Sequence, residues 1–450
     1  MNTKLRYLLI FYFTILVSLN CFAQRTIIYD EDVDAKRSLD IHEGIVSEHK
    51  QTIIYRRKGK RVAKIKLSEP VIVALADQPE KWGYFQFPYI GIADDGKIQV
   101  RWAMNSDSHK SYGKSSDRTG NIRVSKDKGK SWYLPDTIYT TYNFRYGVRR
   151  SNRDILTVYT PISKDITQYK AFPKEVKSIK GYKFFYEKEL PNELRGAYFS
   201  YSTINGKTAS IHANIKDPGS LRYAIDDLMP VVWWGNIREM ADNSVIAGVY
   251  PTYYLDNDGD LQAPSVSFYR SVDGAHNWEL QGVIPFPQED LLINNAEELL
   301  EKGLTEPTFI VLKDSTFLCV MRSGNTAPMY QSFSTDYGVT WSKAEAFAPN
   351  GVRPVLLKLD NGIIVLSSGR PGAQLRFCIE GNGVNWTESI DMMHFMDVQH
   401  KVDVFCSCGY TDIVSAGKNS FYVVYSDFHE KNNKGEERKA IKFRKVTIKR

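Results

Sequence analysis

Apolar, β-branched and aromatic residues gather along most of the chain in runs of five to nine residues, broken by short polar turns. Around residue 310 the pattern is plainest. Thr308 to Leu312 is apolar and β-branched, Lys313-Asp314-Ser315 is a turn, Phe317 to Met321 is a second run, and Met329 to Phe333 a third. Short apolar runs of this length bounded by turn residues predict strands. The same grammar recurs upstream: Tyr84 to Ala93 reads as a strand, Asp94-Asp95-Gly96-Lys97 as a turn, and Ile98 to Met104 as the next strand. Val231-Val232-Trp233-Trp234-Gly235 opens another group, Val352 to Trp386 holds a further one, and Ala440 to Ile448 alternates to the end. A helical pattern is predicted only between Pro285 and Lys302, where Asn294 or Asn295 would cap Ala296 to Leu300. The fold class read from this pattern is all-β.

The turns repeat as well. Ser334-Thr335-Asp336-Tyr337-Gly338-Val339-Thr340-Trp341 closes the group around residue 310. In such a turn the serine and aspartate side chains can bond the backbone, glycine takes the positive φ, and tryptophan covers the loop. Ser125 to Trp132 fits the spacing nearly in full, and Ser271 to Trp278 keeps Ser, Asp and Trp with the glycine displaced by one. Ile379 to Trp386 keeps glycine and tryptophan, and Ser202 to Ala209 keeps Ser, Gly and Thr. Five turns at intervals of roughly 45 to 75 residues point to a toroidal repeat.

The spacing S-x-D-x-G-x-T-W is similar to the Asp-box of the sialidase superfamily, and at the level of motifs the resemblance spans nearly all of the chain after residue 23. It implies a six-bladed β-propeller, with one blade per box and a boxless closing blade. The blades would be Tyr84–Trp132, Asn143–Ala209 (with a Lys-rich insertion from Ser163 to Lys188), Val231–Trp278, Leu304–Trp341, Val352–Trp386 and Gly409–Thr447. Part of Arg25 to Pro70 would pair with the C-terminal strands to close the ring; seven blades would result if those N-terminal strands built their own. Residues 24–450 are read as a single domain.

Composition narrows the setting. The 450 residues are 42% hydrophobic, enough to build a core of this size. Aromatic residues make up 13%, with 27 tyrosines, which suits a β-rich protein that handles carbohydrate. Met1 to Ala23 has Lys4 and Arg6, an apolar run from Leu8 to Leu19, and Cys21-Phe22-Ala23 before Gln24. That reads as a secretory signal, so the expectation is export to the periplasm or beyond the cell; a lipid anchor at Cys21 is the alternative, with Asn20 a poor residue to precede it. No other run is long and apolar enough for stable membrane insertion. The formal charge of +7 falls to about +5 when Lys4 and Arg6 leave. Part of the excess sits in the tail, from Lys439 to Arg450, and reads as a solvated strand edge, not a nucleic-acid surface. Cys319 and Cys378 read as buried free thiols, and Cys406 and Cys408 alternate across a strand and cannot easily pair. No zinc motif, phosphate-cradling loop or nucleotide fingerprint is present, so neither metal nor cofactor is expected. Asp256 to Asp260 lacks the glutamate of a calcium loop and reads as a hairpin turn.

Sialidases use a tyrosine nucleophile assisted by a glutamate, an aspartic acid as acid/base, and three arginines that clamp the substrate carboxylate. Carried over by resemblance, Tyr410 in C-G-Y-T-D-I-V takes the nucleophile's place and Glu306 in T-E-P-T the assisting glutamate's. A phenol with a pKa near 10 needs such a base. Arg322 and Arg370 end equivalent strands and match the second and third clamp arginines, whose planar forks suit a carboxylate. Arg353 in G-V-R-P is a further candidate, and Arg145 and Arg238 sit at comparable strand positions. The acid/base is either Asp107 or Asp117, both in the loop after the second strand, with His109 as a possible base beside them. One of Trp233 and Trp234 should pack between blades, leaving the other to stack on a sugar.

One departure stands out. Sialidases carry F-R-I-P on the first inner strand, and Phe85-Gln86-Phe87-Pro88 stands there instead. Gln86 can hydrogen bond but has no charge. The resemblance therefore implies a glycoside hydrolase acting near an acidic sugar, sialic, another ulosonic, or uronic. Two other classes remain open: a polysaccharide lyase, in which Tyr410, His109 and Arg322 would serve β-elimination, and a non-catalytic glycan-binding propeller.

Overall fold

The computed structural model describes residues 45–115, 118–136, 146–287, 303–313, 315–324, 327–393 and 407–450, together with the backbone of 25–31. The signal segment, the helix expected at 296–300, Asp117, Arg145 and Cys406 lie outside the described residues. What is described is all-β, with short 3-10 turns the only helical pieces. No helix among the described residues is long and apolar enough to cross a membrane.

The strands form consecutive antiparallel units, each a meander. Tyr84–Ile92, Ile98–Met104 and Ile122–Ser125 make the first. Gly147–Arg149, Ile155–Tyr159, Ala197–Ser202 and Thr208–Lys216 make the next. It joins Trp234–Glu239, Val245–Thr252, Ser265–Ser271 and Asn277–Ile284 through a parallel pairing of Asn214–Lys216 with Asn277–Glu279, so the two are one eight-stranded sheet. Thr305–Lys313, Thr316–Arg322, Met329–Ser334 and Glu345–Ala348 follow. After them come Val352–Lys358, Ile364–Gly369, Gln374–Cys378 and Ile390–Asp391, edged by Ile45–Val46.

The last unit uses both chain ends. Thr411–Ser415, Ser420–Lys431 and Glu437–Lys449 pair with Lys60–Leu67 and Val71–Leu75, and Gln51–Arg57 extends the edge. The expected return of N-terminal strands to the C-terminal sheet is thus seen directly, with Val446 opposite Leu67 and Ile448 opposite Ile65.

First strands of neighbouring units touch: Thr305–Lys313 packs on Trp234–Glu239 and on Val352–Lys358, and Thr411–Ser415 packs on Val352–Lys358 and on Tyr84–Ile92. Arg149 completes the circuit with a bidentate bond to Asp94, at 3.0 and 2.9 Å. The apolar clusters lie between successive sheets. Phe268, Phe309 and Phe317 fill one interface, Leu318, Leu356 and Leu366 the next, and Leu375, Phe421 and Val446 a third. Two-sided burial of this kind explains why the strand Thr316–Arg322 reads as a continuous apolar run from Phe317 to Met321.

The insertion differs from expectation. It is a separate five-stranded sheet, and only Lys164–Asp165, Lys177–Ile179 and Tyr182–Tyr186 come from the Lys-rich segment. Leu221–Ile225 and Leu228–Met229 come from beyond Thr208–Lys216 and complete it. A buried pair, Glu187 with Arg222 at 3.1 Å, locks the two pieces together. Arg222 also donates to the carbonyls of Gly196 and Val232, so its buried charge is fully used.

The repeated turns are built as their residue types require. Ser334 Oγ donates to Asp336 (2.8 Å) and accepts from the Gly338 N–H (2.8 Å); Asp336 accepts from the Thr340 N–H and hydroxyl; and Trp341 Nε1 donates to the Gly338 carbonyl. Ser125–Asp127–Gly129–Ser131 repeats this network. In the third turn Ala275 stands where the glycine was read as displaced, with φ of 75°, and its N–H still reaches Ser271 Oγ. In the fourth, Cys378 Sγ accepts from the Gly383 N–H, a thiol in place of the hydroxyl. Asp256 likewise accepts from the N–H groups of Asp258 and Asp260, closing a hairpin.

Candidate functional site

Three first strands begin in the same irregular way. Phe87 precedes Pro88, Glu306 precedes Pro307 and Arg353 precedes Pro354, and the three have φ of 53°, 49° and 47°. Proline cannot donate to the ladder and restricts the residue before it. The strand register slips at each place, between Gln86 and Tyr89, Thr305 and Thr308, and Val352 and Val355. A bulge of this kind re-aims side chains that a regular strand would point into the neighbouring sheets. Such left-handed residues cost about 1–3 kcal/mol each, and strain of that kind gathers at functional sites.

Glu306 is the centre of the result. It is 3% exposed. Its Oε1 accepts from the Tyr410 hydroxyl and lies 3.2 Å from Arg322 Nη1, while Oε2 accepts from the Arg353 N–H at 2.7 Å. Burial by itself would raise the pKa of Glu306. Arg322, the Tyr410 hydroxyl and Arg353 together outweigh that and hold it down to about 2. Glu306 is therefore a carboxylate at neutral pH, bonded to the Tyr410 phenol. Arg322 is pulled down by burial, but Glu306 more than compensates and its pKa ends above the usual value.

Tyr410 and Glu306 open onto a cleft of about 350 Å³, whose wall includes Tyr112, Tyr146, Trp234 and Tyr250 and whose rim carries Asn105 to Ser108 with Asp107. Asp107 accepts from Trp82 Nε1 at 2.9 Å. Trp234 lies edge-on to Tyr112, with centroids 4.9 Å apart, and donates to Thr160 Oγ1. Trp233 turns the other way and is buried among Phe199, Tyr269 and Trp278, so the adjacent pair divides between sheet core and cleft.

Arg370 is 3% exposed, with its guanidinium carbon 5.1 Å from the Trp82 ring centre and 5.9 Å from that of Tyr410. Burial lowers its pKa and the nearby Tyr410 opposes the fall. Arg353 lies 5.5 Å from the Tyr146 ring centre. The three arginines thus stand around Glu306 and Tyr410 without lining the open cleft. Gln86 is fully buried and also outside the cleft wall; its Oε1 accepts from the Gly83 N–H and from Lys439 Nζ, the latter at 3.1 Å. An ammonium therefore stands behind the uncharged residue.

His109 faces away, with Nε2 3.4 Å from Asp226 on the insertion sheet. Arg238 lies at the far end of its strand, away from Tyr410. Sequence reasoning missed Phe87, Tyr112, Tyr146, Tyr250 and Lys439. Phe87 had a usable signal, since it precedes a proline as Glu306 and Arg353 do; the tyrosines had none among 27.

No family model matches the chain, and no curated protein matches it. Among solved structures, a protein of unknown function from Dyadobacter fermentans DSM 18053 overlays with a TM-score of 0.53 at 16% identity, over 86% of this chain and 99% of that one. That likeness shows the fold. Looser overlays include the NanB sialidase of Streptococcus pneumoniae (TM-score 0.44, 13% identity, 84% of this chain and 70% of that one). The Hadza microbial sialidase Hz136 is another (0.45, 12%, 80% and 65%).

Proposed function

We propose that this chain is an exported, single-domain, six-bladed β-propeller glycoside hydrolase of the sialidase type, acting on a glycan that contains an acidic sugar. The observation that carries the reading is the bond between Tyr410 and Glu306, residues 104 apart in sequence, on the floor of an aromatic cleft. Glu306 takes the phenolic proton as Tyr410 Oη attacks the anomeric carbon, and Asp107 protonates the departing glycosidic oxygen. Water then releases the sugar from Tyr410, with Asp107 as base. A neutral phenol approaches an anionic sugar without the repulsion a carboxylate nucleophile would meet. Three guanidiniums, those of Arg322, Arg353 and Arg370, stand around the single Glu306 carboxylate, and that excess of positive charge behind the cleft favours an anionic ring. Trp234 with Tyr112 offers a face on which the sugar stacks.

The test is a panel of chromogenic sialosides, other ulosonides and uronides, followed by a fluorinated analogue of whichever is cleaved. A sugar adduct on Tyr410 by mass spectrometry is expected, and Tyr410→Phe should lose turnover while keeping its fold. An absorbance rise near 235 nm on uronate polymers, without an adduct, would move the protein to the lyases. Wild-type turnover in Tyr410→Phe would remove the tyrosine from the mechanism.

A further inference from the structure

The two ends of the inner strands are chemically unlike. On the strand Trp234–Glu239, Trp234 lines the Tyr410 cleft, and Arg238, four residues on, lines a second cleft of about 520 Å³ that shares no residue with the first. Four residues of extended chain span roughly 13 Å. Val148, Ile310 and Leu356 give this second cleft an apolar floor. Its charged residues are Arg149, Arg150, Arg238, Lys358 and a single acid, Glu239.

The acids nearby are already engaged. Asp94 holds Arg149 with two bonds and also meets Arg153 at 2.7 Å. Glu239 holds Arg150 at 2.9 Å and accepts from the Ser151 N–H. Arg238 is left with neutral partners: its Nε donates to the Phe309 carbonyl, and its guanidinium carbon lies 5.7 Å from the Phe309 ring centre. Among the described residues Lys358 Nζ likewise meets a carbonyl and no acid, donating to that of Leu312. Both cations therefore lean on the strand Thr305–Lys313 and point their remaining donors at the cleft. Burial lowers the pKa of Arg238 to about 10, and no acid among the described residues acts against that fall.

We propose that this second mouth binds a small oxyanion, held by the Nη pair of Arg238 with Lys358 as the second cation. Arg238 is half-buried with no acid beside it among the described residues, and its planar fork matches two oxygens of one carboxylate, sulfate or phosphate group. The site is separate from the Tyr410 cleft and does not depend on the catalytic reading.

Titration calorimetry on the full chain, with sodium sulfate against chloride at constant ionic strength, tests it. Saturable binding of one sulfate per chain is expected, unchanged in Tyr410→Phe. Arg238→Gln should weaken it by roughly tenfold or more, in keeping with the loss of a charge-assisted, two-pronged contact. Lys358→Ala, at an exposed position, should weaken it by about fivefold and guards against a misfolded Arg238→Gln. Competition with glucuronate then identifies the source. Displacement assigns the site to sugar acids, its failure assigns it to inorganic oxyanions, and either upholds an oxyanion site. No saturable heat with the wild type up to tens of millimolar sulfate would overturn the proposal, as would binding unaltered in both variants.

Discussion

Replacing Glu306 by glutamine removes one charge from a buried carboxylate held by Tyr410, Arg322 and the Arg353 N–H, and the consequence can be worked from those surroundings. The folded carboxyl titrates at about 2, against a reference of 4.5. The difference corresponds to roughly 3 kcal/mol of folding stability. Because the folded pKa lies below the unfolded one, this stabilisation is present in full above about pH 5 and is lost as pH falls toward 2. Glutamine cannot supply it at any pH, and it leaves Arg322 without its counter-charge 3.2 Å away. Glu306→Gln should therefore be less stable than the wild type by about 3 kcal/mol at pH 7, with the gap closing to near zero at pH 2. Urea unfolding of both forms at unit steps of pH measures it, and other carboxylates cancel in the difference. A gap that stayed constant with pH, or one below about 0.5 kcal/mol at pH 7, would refute the account of Glu306 as an ionised hub. The same variant should lose a factor of about 100 to 10,000 in kcat, since the phenol has lost its base.

Other outcomes follow from individual contacts. Asp107→Asn should slow hydrolysis of glycosides with poor leaving groups about a hundredfold while sparing nitrophenyl glycosides, so a plot of rate against leaving-group pKa checks its role as acid. Gln86→Arg would place a guanidinium beside Lys439 in a fully buried position; we expect it to destabilise the fold by about 2 kcal/mol or more, and Lys439→Met in the same chain to recover part of that in a thermal melt. Asp336→Ala removes the acceptor of the Thr340 N–H and hydroxyl far from the cleft; stability should fall by about 1–3 kcal/mol with kcat/KM within twofold of wild type.

Much of this protein was legible in the order of its residues, because the information is local. A short apolar, β-branched run between turn residues specifies a strand whatever the strand later packs against. Ser125, Asp127 and Gly129, or Ser334, Asp336 and Gly338, close their own turns through bonds spanning two to four residues. Glu306 and Tyr410 stood out only through the resemblance of T-E-P-T and C-G-Y-T-D-I-V to a known family, whereas Trp233 and Trp234 had to face opposite ways because a strand alternates. Tertiary structure alone decided the rest, since it depends on which distant groups come within a few ångströms. Only the assembled ring brings the Glu306 carboxylate to Tyr410, Arg322 and the Arg353 amide, and that convergence, not the glutamate itself, keeps it ionised. Only packing shows that Gln86 is backed by Lys439, 353 residues away, that Arg370 lies beneath Trp82, and that His109 turns to Asp226. Nor could the chain order alone tell that Leu221–Met229 would return to finish the insertion sheet, or that Arg238 would face a different mouth from Trp234. Strand pairing and charge pairing are long-range, and their energies are set by partners that no local pattern specifies.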